Sequence, residues 1–482
     1  MTDSQGVTAT AAVVTPRYDP GGSLQPSEQR ALLVAGDAVA LAAGIVVSLW
    51  TWSITAGLPF SISFVWERAA WFLAVPTWLV ALAPSYNLRT ARSVGRTVSA
   101  LGQALGLLLM AYLAAYFFAP RSELPRLVAL YVLWEGALLT LGWRLAYVWY
   151  VANVHGEKRV LIVGATAAGH AALRLIKGAS VVETKVVGFV DDDPTLWGNL
   201  VEEIPVSGGS ERLPGLVAEF GVAEIVLVAP AHGASGTLLA ALAECQEKGV
   251  EVVPLSQVYE DLLRRVPVTY LDSGWLFSSF VEAVRSKDAS GIAKRAMDLV
   301  GAAAGLAALA VLTPLLSIAI WLESGPPVFY RQRRMGRGGA LFTLIKFRTM
   351  RADAEAHGPP RWAVRQDPRV TRVGHLLRRT RLDELPNVVN VLRNEMSLVG
   401  PRPERPEFVT QLEREIPLYR ARLLSRPGLT GWAQVNSPYG DSVEGALEKL
   451  EYDLYYLKHR SLVFDLWILV RTIGTVVGLK GR

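Results

Sequence analysis

Four apolar stretches early in the chain constrain its folding more than any other feature: Ala31 to about Ala56, Trp66 to about Ala83, Val98 to about Ala119, and Leu127 to about Val151. Each is near the ~20 residues that a helix needs to cross a bilayer. The spacing predicts a four-helix transmembrane region over residues 29–153. Trp50, Trp52, Trp66, Trp71 and Trp78 fall near the expected helix ends, where indole rings favour the membrane interface, while Trp134 fits that pattern less well. The loop with Arg89, Arg92 and Arg96 and the exit with His155, Lys158 and Arg159 are more basic than the Arg121–Arg126 loop. Both ends of the bundle are therefore expected on the cytoplasmic side. Asp37, inside the first stretch, reads either as a functional intramembrane group or as a snorkelling or helix-contact residue.

Composition agrees with a membrane protein. The 482 residues are 51% hydrophobic and the mean hydropathy is +0.28, too apolar for an ordinary soluble chain. A net charge of +6 suits an anionic lipid surface or phosphorylated substrates, and no nucleic-acid-binding motif accompanies it. With Cys245 as the single cysteine, an intrachain disulfide and a Cys-rich zinc site are both excluded. Residues 1–28 are rich in Thr, Ser, Gly, Pro and Gln and lack a signal-peptide pattern, so a disordered tail is expected.

From Lys158 the pattern changes to alternating strands and helices, and a Rossmann-like α/β domain is expected over residues 154–277. Its first strand runs into Gly164-Ala-Thr-Ala-Ala-Gly169, in which Thr166 stands where a dinucleotide fingerprint would have its second glycine. Asp191, Asp192 and Asp193 follow the second strand, where a ribose could be met or where an acidic loop simply faces water. A dinucleotide site and a structural or regulatory domain are both readings of this region, and the missing glycine favours the second. Residues 278–293 are expected to be a linker.

A fifth apolar run, Met297 to Leu322, has basic flanks on both sides, Lys294 and Arg295 before it and Arg331, Arg333, Arg334 and Arg337 after it. Thr313-Pro314 lies in its middle. Proline removes a backbone hydrogen bond, so the chain can break there and leave by the face it entered, whereas a full crossing would set one basic cluster against the positive-inside bias. Periodicity alone leaves crossing and re-entry level.

Beyond this run, Asp383 and Glu384 are adjacent carboxylates inside an unusual density of arginine. Most acid pairs of this kind belong to solvated salt-bridge networks. Here the carboxylates sit between Pro386 and the Gly400-Pro401-Arg402-Pro403 turn, with Arg378 and Arg402 suited to bidentate phosphate binding. Strand alternation at Phe342–Phe347 lets Lys346 and Arg348 share one face and converge with them. Carboxylates for a metal or a nucleophile, with arginines for phosphate, read as phosphoryl-transfer chemistry.

The KFRTM, LDELPN, GPRP and RPGLTGWAQVN segments, in the order Lys346–Met350, Leu382–Asn387, Gly400–Pro403 and Arg426–Asn436, resemble the bacterial polyprenyl-phosphate sugar-1-phosphate transferases, the monotopic phosphoglycosyl transferases. The resemblance covers Lys294–Arg482, and the whole chain looks like the larger members, which carry a four-helix membrane region and a Rossmann-like domain ahead of a mainly α catalytic domain. It implies a re-entrant helix over residues 294–322 broken at Thr313 and Pro314, and a catalytic domain on the cytoplasmic face of the bacterial inner membrane. It also implies that Asp383 attacks the sugar-bearing phosphorus of a UDP-sugar, that UMP leaves, and that polyprenyl phosphate takes the sugar phosphate. Mg²⁺ would be held by Asp383 or Glu384, phosphates by Lys346, Arg348, Arg378 and Arg402, and Arg426, Trp432 and Gln434 would belong to a nucleotide-side loop. Exopolysaccharide or capsule assembly and a possible homodimer are expected on the same ground.

Two other readings compete. A nucleotide-sugar dehydratase or epimerase would need a Tyr-x-x-x-Lys pair, and no tyrosine here has lysine four residues later. A non-catalytic scaffold or nucleotide-sugar sensor is disfavoured by the presence of Asp383, Glu384, Lys346, Arg378 and Arg402 together.

Overall fold

A computed structural model describes residues 26–86, parts of 91–112, 126–154, 158–178, 184–228, 235–271, 288–351, 354, 367–437 and 442–477. The expected N-terminal tail, most of the expected third membrane helix and most of the expected linker lie outside these residues. The chain divides into two units, one holding Trp149–Val253 and Met1–Leu32, the other Leu33–Val148 and Pro254–Arg482.

In the first unit, β1 (Lys158–Val163), β2 (Thr184–Val190), β3 (Glu224–Leu227) and β4 (Glu251–Pro254) form a sheet in the order β2-β1-β3-β4, with β1 parallel to both β2 and β3. Strand β1 is buried over its last four residues, as a central parallel strand must be when helices cover both faces. Leu161, Val163, Ile225, Leu216 and Leu242 share its core with the side chain of Cys245.

In the second unit, the described residues contain three helices long and apolar enough to cross a membrane: Glu28–Ala56, Val128–Tyr150 and Gly291–Ser324. The first two lie within α1 (Pro26–Ala56) and α2 (Arg126–Val154). These helices approach so closely that a Cβ on Gly44 would stand 2.7 Å from Gly136 Cα. Arg144 Nη2 donates to Asp37 Oδ2 at 2.7 Å and its Nε donates to Oδ1 at 3.1 Å, with both side chains almost wholly buried. Asp37 is thus a helix-contact residue. The expected second span, Trp66 to about Ala83, is instead a series of short pieces, a 3-10 helix at Ala69–Leu73 followed by a helix at Ala74–Leu82. Pro76, in the first turn of the later piece, and Pro84 beyond it explain why no single long helix forms.

In the α/β unit, α3 (Ala167–Gly178) follows the glycine turn. The C-terminal unit takes up the chain earlier than the sequence indicates. Helix α4 (Leu255–Leu263) belongs with it, so the α/β unit ends at Val253 and not near residue 277. Lys458 Nζ and the His459 ring meet the Glu260 carboxylate at 2.8 and 2.9 Å, and Trp432 Nε1 donates to Arg264 O at 2.9 Å.

Helix α5 (Asp288–Ser324) is 37 residues long and runs through Pro314 without interruption. Pro314 has no N–H to donate to Ala310 O, so the helix lacks one backbone bond at the expected Thr313–Pro314 position, and Thr313 Oγ1 donates to Leu309 O at 2.6 Å. Its first half packs on Leu398 and Val388, where Gly301 and Gly305 give them room. Its second half joins Leu309 and Ile320 to Phe347 and Leu377. The opposite face leaves Val311, Leu315, Ile318, Trp321 and Leu322 exposed.

After α5 come the hairpin β5 (Phe329–Met335) and β6 (Leu341–Phe347), α6 (Arg372–Arg379), and a 3-10 turn at Leu382–Asn387 that continues into α7 (Val388–Leu392). A short parallel pair, β7 (Ser397–Val399) and β8 (Gly428–Thr430), lies between α7 and the last two helices, α8 (Val443–His459) and α9 (Leu462–Val477).

Candidate active site

Two backbone features aim the carboxylate pair. Arg381 adopts φ +59°, a left-handed conformation that stops α6 and turns the chain. Pro386 then keeps the following turn short, and Asn387 Oδ1 accepts a hydrogen bond from Ile345 N at 3.2 Å, tying the turn to β6. Asp383 and Glu384 are thereby buried beside the strand that carries Lys346.

Glu384 is the fully engaged member. Lys346 Nζ donates to its Oε1 at 2.7 Å, and Arg402 Nη2 donates to the same oxygen at 2.6 Å. Burial alone would raise the Glu384 pKa, but Arg402, Lys346 and Arg381 hold it well below the usual carboxylate range. Asp383 differs. None of the described residues makes a hydrogen bond to its carboxyl, and burial together with the Glu384 charge pushes its pKa up against the opposing pull of Lys346, Arg378 and Arg402. Burial likewise lowers the Lys346 pKa, with Glu384 opposing. One carboxylate thus organises the cations, and the other stands beside them with no hydrogen bond from the described residues.

Arg402 is aimed from below. Its carbonyl accepts from Arg422 Nη2 at 3.1 Å, and Arg422 also donates to Asp453 Oδ2 at 2.8 Å and to the Tyr419 hydroxyl at 2.6 Å. Arg334 Nη1 donates to Pro403 O at 3.2 Å on the far side of the same turn. The turn is seated on β8, since a Cβ at Gly428 would lie 2.1 Å from Gly400 N. Sequence reasoning missed Arg422 and Asp453, because neither stands in a segment that spacing singles out. One arginine among several and one acid on a mixed helix carry no local signal, and only the tertiary pairing reveals them.

Of the residues selected from the sequence, the structure brings together Asp383, Glu384, Lys346 and Arg402, with Arg378 acting on Asp383 by its charge. It does not bring Arg348 to them. The ladder ends at Phe347, and the Arg348 Nη2 donates to Ser324 O at 2.9 Å, to Ser324 Oγ at 2.8 Å and to Gly325 O, closing the C-terminus of α5. Trp432 is 2% exposed and packs among Tyr452, Tyr455, Phe464 and Trp467, so its ring serves the core and has no face open to a base. Gln434 Nε2 donates to Leu429 O at 3.2 Å within the same loop. Arg426 lies near Arg337 and Arg295, and burial, then these cations, lower its pKa.

Among the described residues no group of three or more His, Cys, Asp or Glu side chains could by itself hold a metal ion. The donor chemistry at Asp383 suits a hard cation that takes its other oxygens from substrate and water. Glu384 is less suited, because Lys346 and Arg402 already occupy it.

Residues 289–479 match a family described as bacterial sugar transferase, and residues 82–254 match one described as a CoA-binding domain. A UDP-N-acetylgalactosamine-undecaprenyl-phosphate N-acetylgalactosaminephosphotransferase from Aeromonas hydrophila is 39% identical over 236 residues, covering 49% of this chain and 54% of that protein. A UDP-glucose:undecaprenyl-phosphate glucose-1-phosphate transferase from Xanthomonas campestris pv. campestris is 40% identical over 191 residues, 39% of this chain and 40% of its own. A UDP-galactose-lipid carrier transferase from Erwinia amylovora is 31% identical over 347 residues, 67% of this chain and 69% of that one. The chain thus spans 54% and 40% of the lengths of the first two relatives.

The α/β unit does not fit a phosphate-bearing cofactor at its glycine turn. Ala165 N, the amide such a phosphate would use, donates to Asp191 Oδ2 at 2.7 Å. Asp192 Oδ1 accepts from Ser210 N at 2.7 Å and its Oδ2 from Ser235 Oγ at 3.1 Å. Carboxylates hold the donors at the C-terminal edge of β1 and β2, and their charge would repel an anion.

Proposed function

This chain belongs to the bacterial sugar transferase family, and on that footing we propose that it moves a sugar 1-phosphate from a UDP-sugar to polyprenyl phosphate and releases UMP. The observation that carries the reading is the division of labour at residues 383 and 384. Glu384 draws Lys346 and Arg402 together, and Asp383 stands next to them with no hydrogen bond from the described residues.

In the proposed sequence, an Asp383 carboxylate oxygen attacks the sugar-bearing phosphorus, the bond from that phosphorus to the bridging oxygen breaks, and UMP departs with the electron pair. A phosphate oxygen of the polyprenyl phosphate then attacks the same phosphorus and frees Asp383. An acyl phosphate is a reactive donor, so one displacement between two anions becomes two separately managed steps. Arg402, Lys346 and Arg378 neutralise the diphosphate and the charge that develops on it, and their fixed positions avoid reorganisation during reaction. Asp383 would hold Mg²⁺, which supplies further neutralisation of phosphate oxygens when bound.

We also infer that α5 enters and leaves the membrane by one face. Supporting this, both ends of the helix bond to the same domain. Lys294 Nζ donates to Asp465 Oδ2 at 2.7 Å and Arg295 to Val391 O at 2.8 Å, while about thirty residues on Glu323 accepts from Arg372 N at 2.7 Å. A perpendicular crossing would need polar partners of the two ends on opposite sides of ~30 Å of hydrocarbon. The catalytic domain then faces the cytoplasm, where sugar nucleotides are found, and the product would serve assembly of an extracellular polysaccharide.

The test is UMP release from a panel of UDP-sugars with Mg²⁺, with and without polyprenyl phosphate. Wild type should release UMP over many turnovers with one donor only when lipid is present, and Asp383→Asn should abolish release. With a donor labelled in the sugar-bearing phosphate and no lipid present, label should stay on wild-type protein and not on Asp383→Asn. Folded wild type that releases no UMP from any donor would end the transferase reading, and release without retained label would end the covalent step.

A further inference from the structure

Thr349 has had no chemical role so far, yet its hydroxyl accepts a hydrogen bond from Arg378 Nε at 2.9 Å. The residue is 7% exposed, and its main chain is bonded as well as its side chain. Thr371 N donates to Thr349 O at 3.0 Å, and the next residue, Met350, pairs with Val370 in an antiparallel bridge.

Helix α6 starts from that contact. Thr371 is its N-cap, with Oγ1 accepting from Gly374 N at 3.0 Å. Gly374 rests against the strand end so closely that a Cβ would lie 2.1 Å from Thr349 O. The helix is therefore seated on residue 349 itself. Arg378 stands four residues after Gly374, on the same helix face one turn along, and its guanidinium returns to the Thr349 hydroxyl. Cap, glycine and hydroxyl form one closed attachment between α6 and the end of the KFRTM segment.

The attachment matters because a guanidinium is a planar fork. With Nε fixed, the direction of the outer edge is fixed too, and bidentate recognition of phosphate depends on that direction more than on the charge alone. An arginine without such an anchor keeps its charge but distributes its long side chain over several rotamers. Arg378 is also one of the cations whose field acts on Asp383.

We propose that Thr349 is a positioning residue, whose hydroxyl fixes the Arg378 guanidinium beside Asp383 and so sets where the phosphoryl group in transfer is gripped. The inference rests on the transferase reading above. The KFRTM segment includes Thr349, but its pattern gives the threonine no role of its own, and the hydrogen bond supplies one.

The experiment compares full-length wild type, Thr349→Val, Thr349→Ala and Thr349→Ser in the UMP-release assay, with thermal melting as the check on folding. Valine keeps the shape and removes the acceptor, alanine removes it without adding a methyl group, and serine retains it. Loss of a hydrogen bond to a charged group should lower kcat/KM about 10- to 100-fold in the first two variants, while Thr349→Ser stays within about threefold of wild type. The same substitutions are then made in an Arg378→Lys background, where the Nε donor is gone. There Thr349→Val should cost less than about twofold more. Folded Thr349→Val or Thr349→Ala with wild-type kcat/KM would overturn the proposal. So would Thr349→Ser as impaired as Thr349→Val, or a Thr349→Val loss undiminished in the Arg378→Lys background. Wild type inactive with every donor would instead overturn the transferase reading on which the proposal stands.

Discussion

At the scale of single residues, two adjacent carboxylates are held in different surroundings. Glu384 takes two cations on one oxygen, and Asp383 takes none by hydrogen bond from the described residues. Arg402→Lys keeps the charge but gives up the second guanidinium contact to Glu384, which spans 3.5 Å from Nη1 to Oε2. We expect kcat/KM to fall about 10- to 100-fold in this variant, with the melting temperature within a few degrees of wild type. A loss of folding with no folded, slow enzyme recovered would mean that Arg402 serves structure first. Asp383, Glu384, Lys346 and Arg402 were legible in the sequence because their motifs place unlike charges close together beside turns that proline and glycine fix. Arg348 lies apart from them for a definable reason. Strand alternation puts i and i+2 on one face only while the strand lasts, and β6 ends at Phe347. Trp432 fills a core, and in sequence a tryptophan after a Pro-Gly turn looks the same whether it does so or stacks on a base.

At the scale of elements, α5 carries the main contrast between expectation and structure. Its apolar run was plain in the sequence, but periodicity could not tell where its ends are tied. The tying residues, Lys294, Arg295 and Glu323, find partners in segments roughly 50 to 170 residues away, a separation that local pattern does not encode. Cys245 is the only cysteine, so Cys245→Ser gives a background for labelling. Single cysteines introduced as Gly291→Cys and Arg331→Cys, before and after the apolar run, should both react with an impermeant maleimide in inverted membrane vesicles and both be protected in right-side-out ones. Labelling of one in each orientation would show a crossing helix. The second expected span, Trp66 to about Ala83, is shorter in the structure, an apolar helical run over Ala69–Leu82. Mean hydropathy counted its residues as apolar, while Pro76 in the first turn of the α-helical part and Pro84 just past its end limit the run.

At the scale of the whole molecule, domain order was readable from changes in hydrophobic period, but the end of the α/β unit was not. Residues 254–270, placed by the sequence in the α/β domain, lie with the C-terminal unit, clasped to α8. Glu451 sits in that clasp, where Val266 N donates to its carbonyl at 3.0 Å and its carboxylate faces Arg265 with Glu448 nearby. Burial pushes the Glu451 pKa up to about 7, against Arg265 and the Val268 amide, and Glu448 adds to the rise. A carboxyl whose folded pKa is raised favours the folded state at low pH. Its contribution is complete below the ordinary value of 4.5 and is lost as pH rises through about 7. At about pH 8.5 the ionised group therefore costs on the order of 3 kcal/mol relative to its protonated form. Glu451→Gln should melt roughly 5–10 °C above wild type at about pH 8.5, and the gap should close toward about pH 5. An equal gap at both values would separate the effect from ionisation.

The Asp37–Arg144 pair has a consequence in time. Its partners are 107 residues apart in the chain. At about 5–20 residues per second, the ribosome delivers the guanidinium roughly 5 to 20 seconds after the carboxylate. Throughout that interval Asp37 is without the guanidinium that covers it in the finished chain. The pair closes only after both helices exist, so the order of synthesis sets the order in which this charge is covered.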